Sequence, residues 1–351
     1  MSRSRLRMNK QVKSNNMKNC LTINRVLVAK KKLSTLLFIL VVSVSAMASE
    51  GALTGRFTIN AQGDQVVFSQ GNLQYQASTS TWRFAENQWE VIGADNTNIS
   101  PTYAGWIDLF GWATSGWDSG NIAYQPYSTS TTSSEYGLHD LWFMYNMTES
   151  YANADWGVYN AISNGGNAAG LWRTLTYDEW NYLFNRRNDA SDLRSQVTVN
   201  GVHGYAILPD VFTQPAGTSF VAAANNWTAN NYDCTAWQQM EAAGAVFLPA
   251  AGCRYGADQF NNFNKNGYYW TASVYNGYLK YMILFHESTA TLYRFTADYG
   301  LSVRLVQVAP SSSTALDDAA SNSKVVKRIV NGQLLIERDG KLYNTTGSKL
   351  K

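Results

Sequence analysis

All twelve tryptophans of the chain fall between Trp82 and Trp270, and no other feature restricts its folding so strongly. Indole rings are too large and too apolar to be left in water in such numbers, so the segment that carries them needs a deep core. Aromatic residues make up 13% and charged residues 15% of the 351 positions, the reverse of a disordered chain. The length is enough for two or three domains. Five of the tryptophans, from Trp106 to Trp156, lie in a Gly/Asn/Ser-rich stretch running from Asp95 to about Gly170. Loops this long are uncommon unless they carry function or pack their own aromatic residues.

The charge is unevenly placed. Residues 1 to 48 hold ten Lys/Arg and no acid, and the rest holds 18 basic against 25 acidic residues, a net charge of −7. Phosphate backbones require clustered Lys and Arg, so nucleic acid is excluded as a partner. The basic start has its own explanation. Lys30, Lys31 and Lys32 precede an apolar run from Leu36 to Val44, and Ala46-Met47-Ala48 supplies a small-x-small ending. This predicts a signal peptide with a long basic leader over 1-48 and a secreted or outer-surface protein starting near Ser49. The apolar run is shorter than the roughly 20 residues of a spanning helix, so no permanent membrane span is expected. The export machinery is the partner it implies.

After the leader, Cys234 and Cys253 are the remaining cysteines. In an oxidising compartment they either close a loop worth about 3 kcal/mol or stay as two free thiols. With His139, His203 and His286 far apart, no zinc spacing exists, and neither a metal nor a cofactor is expected.

The fold class predicted is α+β. Arg56 to Asn60, Gln65 to Ser69 and Asn72 to Gln76 alternate as strands. Two helices follow. The first has Thr176 as N-cap, Glu179 completing a capping box, and Trp180, Leu183 and Phe184 on one face. The second spans Thr235 to Ala243, with Thr235 and Gln238 as its box and Gly244 as its stop. Between them Asn200-Gly201 joins Val197–Val199 to Val202–Leu208 in a hairpin. The C-terminal half is strand-rich: Ala245 to Leu248, Tyr268 to Val274, Tyr278 to Phe285, Ala290 to Phe295 and Ser302 to Val308. Residues 49-309 thus form one domain, 310-323 a small-residue linker, and 324-351 a β-meander with Asn331-Gly332 and Asp339-Gly340 between its strands.

Four segments, WRTLTYDEWNYLFNRR (172 to 187), GAVFLPAAGCRYG (244 to 256), GYYWTASVYNG (267 to 277) and YGLSVRLVQ (299 to 307), resemble a bacterial extracellular family. It is the Fibrobacter succinogenes major paralogous domain, with related C-type-lectin-like domains of Bacteroidetes. The resemblance covers roughly residues 53 to 308. It implies a C-type-lectin-like domain with Trp270 in a central strand and Gly300 to Arg304 in the last core strand. The tail RIVNGQLLIERDGKLYNTTG (328 to 347) resembles the C-terminal sorting domain of type IX secretion, which implies passage to the surface or medium. Fold likeness alone transfers no reaction.

Formylglycine-generating enzymes, which share the broad fold that the resemblance implies, use a redox-active cysteine pair near its end, and GLSVRLVQ has none. The calcium-binding sugar motifs of animal lectins are missing too, so metal-mediated sugar binding is not implied. Asp178 and Glu179 are adjacent helix residues pointing about 100° apart, which suits helix capping better than glycoside hydrolysis. Asp108 and Asp118 are the scattered acids that a polymer-degrading enzyme would have to use. No nucleophile elbow, phosphate loop or metalloprotease motif occurs, and the chain is read as not an enzyme.

Tyr and Asn concentrate between Arg254 and Tyr299. Tyr offers large contact area at low entropy cost and Asn adaptable hydrogen bonding, the composition of binding surfaces. The predicted ligand-binding residues are Tyr255, Phe260, Asn262, Phe263, Asn264, Tyr275, Asn276 and Tyr278. Alternation assigns part of the segment, including Tyr269, Ile283 and Phe285, to the core. Trp106, Trp112 and Trp117 form either a second platform or a self-packed loop. The expected function is non-catalytic binding or adhesion, with a glycan or surface protein as ligand. The alternative is a structural part of a surface assembly.

Overall fold

A computed structural model describes residues 50–118, 121–130, 145–276 and 279–310, together with the backbone of three strands in the tail. The predicted signal peptide, most of the linker, the two Gly dipeptides of the tail and Tyr278 lie outside these residues. The chain divides into two compact units, one ending at Ala309 and the other taking in everything from Pro310 onward.

The first unit is α+β and strand-rich. It opens with β1 (Phe57–Thr58), β2 (Gln65–Phe68), β3 (Leu73–Gln76) and β4 (Thr81–Phe84). Then follow α1 (Trp156–Tyr159), β5 (Arg173–Thr174), α2 (Tyr177–Asn185), β6 (Arg194–Val199), β7 (Val202–Ile207), β8 (Asn231–Tyr232) and α3 (Cys234–Ala242). The C-terminal half holds β9 (Val246–Pro249), β10 (Cys253–Tyr255), β11 (Gln259–Asn261), β12 (Asn266–Asn276), β13 (Leu279–His286), β14 (Thr289–Thr296) and β15 (Leu305–Val308). The main sheets run β1-β2-β15-β5, β8-β6-β7-β9 and β12-β13-β14.

Local chemistry accounts for most of these elements. Thr176 Oγ1 accepts from the Glu179 amide while the Glu179 carboxylate accepts from the Thr176 amide, closing the predicted box at the start of α2. Glu179 also takes both guanidinium nitrogens of Arg173, at 2.6 and 2.8 Å, and so ties α2 to β5. Trp180, Leu183 and Phe184 are buried, as their spacing requires. At the β6–β7 turn Asn200 and Gly201 both take positive φ, 49° and 79°, which a two-residue type I′ turn demands.

Two expectations need correction. The N-cap of α3 is Asp233, whose side chain accepts from the Ala236 amide; Thr235 is already inside the helix. The residues from Gly300 to Arg304 do not make one strand. Gly300 bonds Arg254, Leu301 bonds Phe110, Ser302 bonds Tyr268 and Trp270, and Val303 accepts from Leu73, so regular pairing begins only at Leu305. Five partners on four segments cannot share a single ladder.

Tryptophan fills the core as its distribution demands. Trp112, Trp156, Trp172, Trp180, Trp237 and Trp270 are fully buried. A hydrogen-bonded chain of polar groups crosses this apolar mass. Arg304 donates to Gln88 at 2.8 Å, Gln88 donates to Glu241 at 2.8 Å, and Asn72 donates to the Tyr269 hydroxyl at 3.1 Å, which donates to the Pro249 carbonyl at 2.9 Å. Hydrogen-bonded buried polar groups hold neighbouring segments in one register, and the Tyr269 hydroxyl here ties β12 to β9. Gly267 of β12 lies under the Phe285 ring of β13, where a β-carbon would meet ring atoms at 1.9 Å.

The second unit's described strands, β16 (Val326–Val330), β17 (Gln333–Arg338) and β18 (Lys341–Tyr343), pair antiparallel in sequence order, the meander that the sequence predicts.

Candidate functional site

Strand alternation divides the predicted site. Along β12–β14 the cross-strand set Trp270, Met282 and Tyr293 points to one face, and Tyr269, Ile283 and Leu292 to the other. Two register shifts near the end of β12 bring Val274 opposite Lys280, so that Tyr275 joins the face of Tyr281 and Arg294. The predicted residues therefore fall into two groups on opposite faces of this sheet.

The first group is interlocked. Tyr255 in β10 meets Tyr299 with ring centres 4.8 Å apart, Tyr299 meets Phe295 at 4.3 Å, and Phe295 stacks on Tyr268 at 6.0 Å. The Tyr268 hydroxyl accepts from the amides of Asn262 at 3.0 Å and Asn266 at 2.7 Å. Phe260 and Phe263 face each other at 6.0 Å beside it, and Phe263 is 43% exposed. Asn264 belongs to the scaffold. Its side-chain oxygen accepts from the His203 amide at 2.6 Å, its own amide donates to Ala250 at 2.8 Å, and it takes a φ of 55° that Asn tolerates. Asn264 thereby locks this loop to the β6–β7 hairpin.

The second group is open. Tyr275, 41% exposed, meets Tyr281 edge to face at 5.4 Å, and Tyr281 meets Tyr177 at 4.0 Å. The Arg294 guanidinium lies 4.5 Å above the Tyr275 ring. Tyr177 reaches this place because it opens α2, and its amide donates to Ser273 of β12 at 2.9 Å. Burial raises the Tyr281 phenol above its ordinary value, and Tyr177 and Tyr275 raise it further, so its hydroxyl stays protonated at neutral pH. Asn276 is exposed at the strand end, next to the group. Beyond Val274, whose amide donates to Asn146 at 3.0 Å, Tyr145 stacks on Tyr151 at 4.6 Å with planes 5° apart.

Tyr177, Arg294 and the Tyr145–Tyr151 stack are absent from the eight predicted residues. Arg294 was within reach of sequence reasoning, since a two-residue turn after His286 sets it opposite Tyr281. Tyr177 and Tyr145 come from distant segments and carry no such signal.

The other candidates are placed as follows. Trp112 is buried, Trp106 is covered by Arg83 at 3.8 Å, and Trp117 stacks on Tyr124 at 5.6 Å, so this stretch packs on itself. Asp108 is fully buried, accepting from the Ile92 amide at 2.9 Å and from Asn96 at 2.7 Å. Burial pushes its carboxyl up to about 6, and it pins the turn at 93–97 without facing any surface. The Asp118 carbonyl accepts from Gln125 at 2.8 Å. Cys234 and Cys253 are free thiols, and burial pushes Cys253 up to about 11. Among the described residues no three His, Cys, Asp or Glu side chains gather to hold a metal, and no helix is long and apolar enough to cross a membrane.

No protein-family model, curated protein or solved structure matches the chain.

Proposed function

We propose that this is an exported, non-catalytic binding or adhesion protein built on a C-type-lectin-like domain similar to the Fibrobacter succinogenes major paralogous domain. Its ligand is a glycan or a surface protein, held at the open end of β12–β14 around Tyr275. The observation that carries this reading is the group formed by exposed Tyr275 and Arg294 with half-buried Tyr281 and Tyr177. Three phenol rings and a guanidinium present flat apolar area with polar tips, which suits the C–H faces and hydroxyls of a sugar or an anchor residue of a protein. The leader over 1-48 would deliver the chain to the secretion machinery, and the tail would act as a sorting signal.

The test is a glycan array probed with the chain from Ser49 onward, with and without chelator. Specific binding that survives chelation and is lost in Tyr275→Ala supports the reading. A blank array together with no capture by intact cell surfaces refutes it.

Assembly is a second reading, favoured by β14. Among the described residues this eight-residue strand pairs only with β13, and Arg294 is its one charged side chain. Such an edge can accept a strand from another copy. Concentration-dependent light scattering that is abolished by Thr291→Pro would establish it, and a constant monomer mass would exclude it.

A further inference from the structure

A cleft of about 170 Å³ opens where three separated stretches meet: the β6–β7 hairpin, the segment at 223–225 and the β13–β14 turn. Its walls are fixed. Ala223 donates to the Arg194 carbonyl at 2.9 Å, Gln196 donates its backbone amide to Ala224 at 3.3 Å, and the Gln196 side chain donates to the His286 carbonyl at 2.6 Å. The volume lies below the roughly 300 Å³ at which drug-sized pockets begin, so one small chemical unit fills it.

The chemistry of the lining is two-sided. Ala224 and Ala290 give methyl groups, while Arg194, Tyr205, Asn225 and Ser288 give a cation, a phenol, an amide and a hydroxyl. Arg194 stands 5.5 Å from the Phe184 ring, donates a long 3.4 Å bond to Asn185 and is hydrogen-bonded to the Tyr205 phenol. Among the described residues no carboxylate lies within ion-pair distance of it, whereas nearby Arg187 is paired with Asp210 at 3.1 Å. Burial raises the Tyr205 phenol, with Arg194 acting against that rise, so the hydroxyl remains a donor beside the guanidinium at neutral pH.

The backbone at the rim is unusual as well. Ser288 has φ 77° at the second central position of the two-residue turn between His286 and Thr289, a place that favours Gly or Asn. Ala223, on the opposite wall, has φ 51°. Positive φ at non-glycine residues is uncommon and tends to persist where a side chain has work to do.

We infer that this cleft binds a single carboxylate-bearing sugar unit, with Arg194 gripping the carboxylate and Tyr205, Asn225 and Ser288 meeting the hydroxyls. A guanidinium fork matches a carboxylate in a bidentate pair, and the alanine methyls offer the sugar ring an apolar seat. The site shares no residue with the Tyr275 group, so either can fail without the other.

The experiment is calorimetric titration of the exported chain with D-galacturonate, D-galactose, acetate and inorganic phosphate. Galacturonate is expected to bind with a Kd on the order of 1 mM, and the other three at least tenfold more weakly. Arg194→Gln should cost tenfold or more, Arg194→Lys less, and Tyr275→Ala nothing. Ser288→Gly should weaken binding several-fold while raising the melting temperature, because glycine relieves the turn as it removes the hydroxyl. Equal binding of acetate or phosphate would overturn the sugar assignment. No saturable galacturonate binding, or binding indifferent to Arg194→Gln, would overturn the site.

Discussion

Two cations on the same hairpin lie over aromatic rings at the same distance. Lys280 Nζ is 4.5 Å from the centre of Trp112, and the Arg294 guanidinium is 4.5 Å from that of Tyr275. The first contact is fully buried on one face of the sheet, and the second is exposed on the other. Around Lys280 the aromatic residues interlock through Phe295, Tyr268 and Tyr299. Around Arg294 they stand open. Both groups contain Tyr and Asn, so Tyr and Asn content alone does not mark a binding surface. What separates them is whether the polar tips already have partners inside the chain.

The largest expected effect comes from removing the buried cation. Burial lowers Lys280 from 10.5 to about 7, so the unfolded chain holds this proton more tightly than the folded one. Stability must then rise with pH between about 7 and 10.5, and below 7 the penalty is constant because both states are protonated. Lys280→Met should stabilise the protein by a few kcal/mol at pH 7 and flatten that slope. Urea midpoints at pH 6, 8 and 10 decide it. A variant less stable than the parent at pH 7 would show that the lysine acts as a favourable buried partner.

Truncating one aromatic residue on each face gives the next largest contrast. Phe295→Ala should cost about 2 kcal/mol, below the roughly 3–5 kcal/mol of a fully buried phenylalanine, because Phe295 is only half-buried. Tyr275→Ala should change stability by less than about 0.5 kcal/mol, yet reduce surface binding at least tenfold, about 1.4 kcal/mol. Equal losses of stability in the two variants would mean that the Tyr275 group is core.

Much of this arrangement was legible before the structure, and the rest was hidden for definite reasons. The capping box at Thr176, the Asn200-Gly201 hairpin and the burial of Tyr269, Ile283 and Phe285 each follow from a local rule, and each is found. The cap of α3 was misplaced by two residues because Asp233 and Thr235 are both good caps, and only the extended backbone at Asp233 chooses between them. The strand β4 was missed since Thr81 to Phe84 is short and sits among small polar residues. The eight-residue site was read as one surface. Parity and the shifts near Val274 split it, and irregular register leaves no trace in composition. The Arg194 cleft draws on three stretches far apart in the chain, so no spacing could announce it.

Smaller substitutions sharpen the contrast. Tyr268→Phe removes the acceptor shared by Asn262 and Asn266 and should cost about 1 kcal/mol, whereas Tyr281→Phe should stay within about 0.5 kcal/mol. The smallest effect belongs to Arg294→Gln. An exposed cation over a ring contributes about 0.5 kcal/mol, so thermal unfolding should barely move. Binding to a surface ligand should nonetheless fall, because Arg294 fixes the tilt of Tyr275 and offers donors beside it. A stability loss above about 1.5 kcal/mol would place Arg294 beneath another part of the protein, since exposed cation–π pairs do not reach that size. The open face would then be a second closed one, and the binding surface would have to be sought elsewhere on the molecule.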